Sequence, residues 1–203
     1  MRWNQATIAV AFGCLGSTEM GWTQTRTDVL EVSVRTHVGA GTDMTSLRDA
    51  LALTRRVFAG AGIRMTWIHC GEEATHRRCH DAAAANEFIV RIQPTRLDAA
   101  SHGCGVSLKP EVAPGHYITL FLDCVRAGAK AFGVPEPVVA AYVIAHEIGH
   151  LLLPAGHAPA GIMRARPDRF DWQRAARGGL RFDSGAQKRM RTELLRRGAA
   201  ATP

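Results

Sequence analysis

The stretch AHEIGHLLLPAGHAPAGIMRA, residues 145–165, places His146, Glu147, His150 and His157 within twelve positions, with Met163 six residues further on. On an α-helix, residues four apart lie about 40° apart around the axis, one turn from each other on one face. His146 and His150 can therefore turn their imidazoles toward a single metal ion. Imidazole nitrogen is a good zinc ligand, and three protein ligands plus a water make a catalytic zinc site. Glu147 follows His146 by about 100° of helix rotation. That places it to take a proton from such a water without itself becoming a ligand. The competing reading is a helix end whose histidines are satisfied by backbone or water. The residues before the motif, Val138 to Ala145, are almost all apolar. Burying two histidines and a glutamate there without a metal is costly, which favours the metal.

A third ligand is needed. His157 comes seven residues after His150, just past Pro154-Ala155-Gly156. Such a turn can carry the chain back across the metal, and Gly156 offers the permissive backbone for the reversal. Asp168 and Asp171 are the acidic rivals further along. The reading prefers His157, so the expected site is Zn2+ held by His146, His150 and His157, with Glu147 as the catalytic base.

The surrounding chain is ordinary in composition. Of 203 residues, 46 % are hydrophobic and 21 % charged, the balance of one globular domain able to bury a core. No apolar run reaches the ~18 residues of a transmembrane helix, so no stable membrane insertion is expected. The formal charge is +7. From Arg164 onward there are eleven Arg and Lys against four Asp and Glu, an excess of seven that equals the net charge of the whole chain. A basic face for nucleic acid would look like this, but aromatic interleaving and any nucleic-acid motif are absent. A solvated helix face is the preferred reading, with no nucleic acid as partner.

At the start, Arg2 precedes an apolar stretch from Ala6 to Leu15, followed by Gly16 and Ser17. This is the outline of a secretory signal peptide; a buried N-terminal strand or helix is the alternative. Residues 1–25 are read as that segment and 26–203 as a single catalytic domain, secreted or periplasmic. The cysteines agree. Without Cys14, four remain, an even number. Cys70 and Cys79 flank the polar stretch CGEEATHRRC and read as a loop stapled at its neck; Cys104 and Cys124 then pair by elimination. Both pairings assume an oxidising compartment. The alternative is a second metal cluster of Cys70, His76, Cys79 and His80, whose spacing matches no common zinc knuckle.

Periodicity supplies the elements. Val29 to Val38 alternates as a half-buried strand. A helix follows, capped by Thr42 or Asp43 and ended by Gly60 and Gly62. Ile63 to Cys70 and Glu87 to Ile92 are further strands, and 95–115 reads as a long loop. His116 to Val125 is the most apolar strand, and Pro135 to Leu153 is a helix stopped by Pro154. Past Met163 the pattern turns polar, until a C-terminal helix capped by Asp183 or Ser184. The order strand, helix, three strands, two helices points to an α+β domain with a mixed sheet.

HEIGHLLLPAGHAPAGIM resembles the metzincin clan of zinc peptidases, whose pattern is H-E-x-x-H-x-x-G-x-x-H followed by a Met-turn. The resemblance implies His146, His150 and His157 as ligands, Glu147 as general base and Met163 as the turn methionine. Two positions depart from the pattern: the third histidine comes one residue late, and Leu153 and Pro154 stand where the helix-ending glycine would be. The stretches FAGAGIRMTWIHC and GIMRARPDRFDWQRAARGGLRF are similar to a group of bacterial secreted metzincin-like proteins, a likeness running from Val29 to Arg197. It implies a metzincin-like mixed β-sheet with an active-site helix, Met-turn and C-terminal helix. It also implies an edge strand that borders the cleft and pairs with extended substrate. GHYITLFLD, residues 115–123, is the candidate, with a plain core strand as the alternative.

The functional expectation is a zinc-dependent hydrolase, an endopeptidase acting on a peptide or protein substrate as a monomer. Two alternatives stand beside it: a catalytically idle zinc-binding module, and a zinc hydrolase of non-peptide amides or esters. Glu147 argues against the idle module, because structural zinc sites are closed by four protein ligands and need no base.

Overall fold

A computed structural model describes residues 29–71, 77–96 and 103–200 of the chain. The expected signal segment, Cys14 and His76 lie outside the described residues. The elements run β1 (Leu30–Val38), α1 (Met44–Ala59), β2 (Ile63–His69), β3 (Glu87–Gln93), β4 (Gly105–Leu108), β5 (Tyr117–Phe121), α2 (Leu122–Phe132), α3 (Glu136–Leu152), α4 (Arg169–Ala176) and α5 (Ser184–Ala200). The sheet order is β2-β1-β3-β5-β4. All pairs are parallel except β4 with β5. This is the expected mixed sheet in an α+β arrangement.

One sheet face makes the core. Val32, Val34, Met65, Phe88, Val90, Ile92, Ile118 and Leu120 are buried there with residues of α1 and α3. The other face carries the alternate residues, among them Arg35 and Glu87. They form a buried ion pair at 2.7 Å, and Arg35 also donates to the Asp81 carbonyl. Such a pair is tolerable inside when further hydrogen bonds meet its charged groups; here Glu87 accepts from Arg78 and from the Ala84 N–H as well, while the buried Arg35 Nε has no hydrogen-bond partner among the described residues.

Helix α3 is buried around most of its circumference, as an almost uniformly apolar sequence requires. Its C-terminal carbonyls carry the negative end of the helix dipole and need donors. Arg197 of α5 donates to the Leu151 carbonyl at 2.6 Å, and Lys109 donates to the Leu153 carbonyl. Arg197 is only 2 % exposed and also binds Glu193 and the Gly115 carbonyl. Part of the basic C-terminal region thus works inside the fold, and Arg191 adds a bond to the Ala61 carbonyl; Arg164, Arg174 and Arg196 sit in ion pairs nearer the surface.

Both disulfides form, Cys70–Cys79 and Cys104–Cys124. A thiolate metal cluster at Cys70 and Cys79 is thereby excluded, since the two sulfurs are bonded to each other.

Three sequence readings need correction. The strand expected over His116 to Val125 ends at Phe121, and the chain turns directly into α2. Asp123 drives that turn: its carboxylate accepts from the Arg96 and Cys124 N–H groups. Val125 and Ala129, four apart, are then buried by α2. Second, the segment read as a loop over 95–115 contains β4, and this four-residue strand occupies the sheet edge. The candidate edge strand, residues 115–123, therefore lies inside the sheet between β3 and β4. Third, α4 forms in the polar region after Met163, started by a capping box in which the Asp168 and Asp171 side chains each accept from the other's N–H.

Replacing Arg197 by Ala leaves two buried carbonyls without a partner. We expect a loss of about 3 kcal/mol in urea unfolding. The exposed neighbour Arg196, paired with Glu193, should cost within ~0.5 kcal/mol when changed to Ala.

Candidate metal centre

Helix α3 delivers His146 and His150 from successive turns of one face, and the chain reversal after Leu152 delivers His157. Each of the three offers one ring nitrogen, and these atoms lie within 4.8 Å of one another. Among the described residues this is the group of His, Cys, Asp and Glu side chains that could hold a metal ion. The rival ligands Asp168 and Asp171 are not brought to it. Asp171 is fully buried, bound to Arg164 and Arg174, and caps α4 with Asp168.

The reversal is fixed from below the helix. The Ala158 N–H donates to the Met163 carbonyl at 2.8 Å, closing a small bridge. The Ile162 N–H donates to Arg181. His146 Nδ1 lies 2.7 Å from the Ile162 carbonyl. A carbonyl can only accept, so Nδ1 carries the proton and Nε2 presents its lone pair. Met163 is 3 % exposed and lies against Gly149 of α3. A Cβ at Gly149 would come within 2.3 Å of the Met163 sulfur and 3.2 Å of the Phe182 ring. The glycine inside HEIGH is therefore a contact residue. It lets the methionine pack directly under the helix turn that carries the two histidines.

The donor set suits zinc. The Nε2 atoms of His146 and His150 approach to 3.0 Å. Two imidazoles bound tetrahedrally at about 2.0–2.1 Å would stand roughly 3.3 Å apart, so little movement is needed. The His146 and His150 rings are nearly perpendicular, as are those of His150 and His157. Burial lowers the pKa of His146, and His157 lowers it further, against the Ile162 hydrogen bond. Burial, with the nearby His146, His157 and Lys109, pushes His150 down to about 4. Both rings are thus neutral at pH 7, the form that binds metal.

Glu147 is not among the convergent ligand atoms; it lines the same cleft and is 8 % exposed. Its Oε2 accepts from the Ser107 hydroxyl of β4 at 2.8 Å. Burial raises its pKa, and Ser107 opposes the rise. Strand β4 lies directly on α3 here: a Cβ at Gly105 would meet Val143 at 2.6 Å and Glu147 at 2.8 Å. The histidines and Glu147 open onto a cleft of about 500 Å³, walled by β4 on one side and by Tyr142, Trp172 and residues 164–167 on the other. Tyr142 donates to the Arg164 carbonyl at 3.0 Å and packs edge-on against Trp172. Burial raises its phenol pKa, so it stays a donor.

Sequence reading missed Ser107, Tyr142 and the wall beyond Met163. A usable signal for β4 was present in Gly103-Cys104-Gly105, since a disulfide cysteine between glycines marks a close backbone approach.

No protein-family profile matches the chain, and no curated protein matches it in sequence. Solved structures do. The chain is similar to archaemetzincin from Methanopyrus kandleri, with a TM-score of 0.54 at 11 % identity over 81 % of this chain and 96 % of that one. Metalloproteinase-II from Bacteroides fragilis aligns with a TM-score of 0.47 at 10 % identity, over 82 % of this chain and 54 % of that one. At such identity the first likeness speaks to the fold: the chain has an archaemetzincin-like fold.

Gly149→Ala places a methyl group where the Met163 sulfur sits. We expect about 1–3 kcal/mol of destabilisation, read as a lower thermal midpoint. The double variant Gly149→Ala/Met163→Ala should recover part of it, because the second change opens the space.

Proposed function

We propose that the protein is a zinc-dependent peptidase of the metzincin kind, in which His146, His150 and His157 hold the metal and Glu147 is the general base. One observation carries the reading: three convergent imidazoles stand beside a buried carboxylate in a cleft bordered by a sheet edge. A zinc ion there supplies Lewis-acid activation of water and of a carbonyl.

The chain's own groups do the rest. Glu147, its basicity raised by burial, accepts the proton of the attacking water and can return it to the leaving amine. Ser107 holds the carboxylate toward the cleft. Strand β4 pairs with β5 on one side only; its other side leaves N–H and C=O groups that an extended peptide can meet by strand addition. Met163 is the turn methionine in this reading. It packs and does not ligate.

Three histidines leave a coordination position open, whereas structural zinc sites are closed by four protein ligands. That supports catalysis over an idle module. The strand edge favours a peptide over other amides or esters, because only a peptide uses a row of backbone donors and acceptors. The proposal includes one catalytic domain over 26–203 and export of the chain. The two disulfides fit an oxidising compartment, and no described helix is long and apolar enough to cross a membrane.

Digestion of a mixed peptide library by the zinc-loaded protein tests the reading. Glu147→Ala should keep its zinc and fold while hydrolysis falls by about 10²–10⁴-fold. Full activity in that variant would remove Glu147 from the mechanism.

A further inference from the structure

We propose that Arg166 makes the cleft selective for peptides with a carboxylate close to the scissile bond. This rests on the peptidase reading and names the substrate its site takes.

The charges lining the cleft are few. Besides the three histidines they are Glu147, Arg164 and Arg166. The Glu147 carboxylate is buried and bound to Ser107. The Arg164 guanidinium is occupied, donating at 2.6 Å to both Asp168 and Asp171. Arg166 is exposed, and among the described residues no carboxylate or carbonyl holds its guanidinium. The rest of this wall is largely apolar, with Phe132 stacked on Trp172 and Val139 beside them. Arg166 is thus the one cleft-lining cation left without a carboxylate partner among the described residues, so an incoming carboxylate can pair with it without displacing another. A guanidinium presents a planar fork that matches a carboxylate.

The backbone around Arg166 is also held in place. On one side, Arg164 is tied by its carbonyl to Tyr142 and by its side chain to Asp168. On the other side, Pro167 restricts the backbone and Asp168 starts the α4 capping box. The residues 165–167 thus form a short span pinned at both ends, with Arg166 at its middle. Because the backbone here is already held by these contacts, the ordering cost of recognition falls on the Arg166 side chain alone.

The test uses dye-labelled peptides of one parent sequence. They carry Glu, Gln or Lys at positions flanking the scissile bond, each with a free or an amidated C-terminus. Binding is measured by anisotropy on zinc-loaded Glu147→Ala protein, and cleavage on the parent protein. The Glu peptide should bind about tenfold tighter than the Gln peptide. Adding Arg166→Gln should abolish the difference, and Arg166→Glu should turn it toward Lys, with thermal midpoints unchanged. A preference surviving amidation assigns the carboxylate to a side chain; one that follows the free C-terminus assigns it to the chain end. Equal binding of Glu, Gln and free-acid peptides, or a preference that persists in Arg166→Gln, overturns the proposal. Charge-selective binding without cleavage would keep Arg166's role and reject the peptidase reading. Cleavage without charge selectivity would do the reverse, and absence of both contradicts both.

Discussion

The hydrogen bond from His146 Nδ1 to the Ile162 carbonyl is the constraint on which the site depends. It joins the helix that carries two histidines to the loop that carries the third. It also sets the His146 tautomer, leaving Nε2 unprotonated with its lone pair available. The same loop is pressed to the helix by the Met163–Gly149 contact, which only a residue without a side chain permits. Helix packing and the geometry of the candidate metal site are therefore one problem here. Any change that lifts residues 158–164 off α3 moves His157 and the lone pair of His146 together.

The opposite wall of the cleft is a thin strand made firm by other means. Four residues of β4, at a sheet edge, would fray if held by pairing alone. The Cys104–Cys124 bridge anchors its start to α2. Gly105 lets its backbone settle onto Val143 and Glu147, and Ser107 reaches the carboxylate. The strand proposed to receive substrate is thus also the element that hydrogen-bonds the proposed base.

Much of this was legible in the sequence. Alternation disclosed β1 and β2, the run Glu87 to Ile92 closed by Pro94 disclosed β3, and the apolar run with Pro135 and Pro154 disclosed α3, because those signals are local and strong. The His146, Glu147, His150 pattern was readable for the same reason: helix geometry converts spacing into proximity. His157 was reached through Gly156, and the structure brings it to the other two. What escaped depends on contacts distant in sequence. Strand β4 is too short to alternate visibly and owes its place to β5, α3 and a disulfide. The boundary of β5 and α2 lies inside one apolar run, broken only by the hydrogen bonds of Asp123. The start of α4 had a local signal, but its capping box uses aspartate at the position where glutamate or glutamine is usual. Arg166 looked like one arginine among 22. Only the tertiary arrangement shows that its neighbour Arg164 has carboxylate partners while, among the described residues, it has none.

The central claim is that three histidines bind one zinc. The most direct measurement is zinc content and affinity of the purified protein beside His157→Ala and Asp168→Asn. The account predicts one zinc per chain in the parent and in Asp168→Asn. In His157→Ala the affinity should fall by more than about a hundredfold. Equal, tight binding in the parent and His157→Ala, or no zinc in the parent, would contradict it.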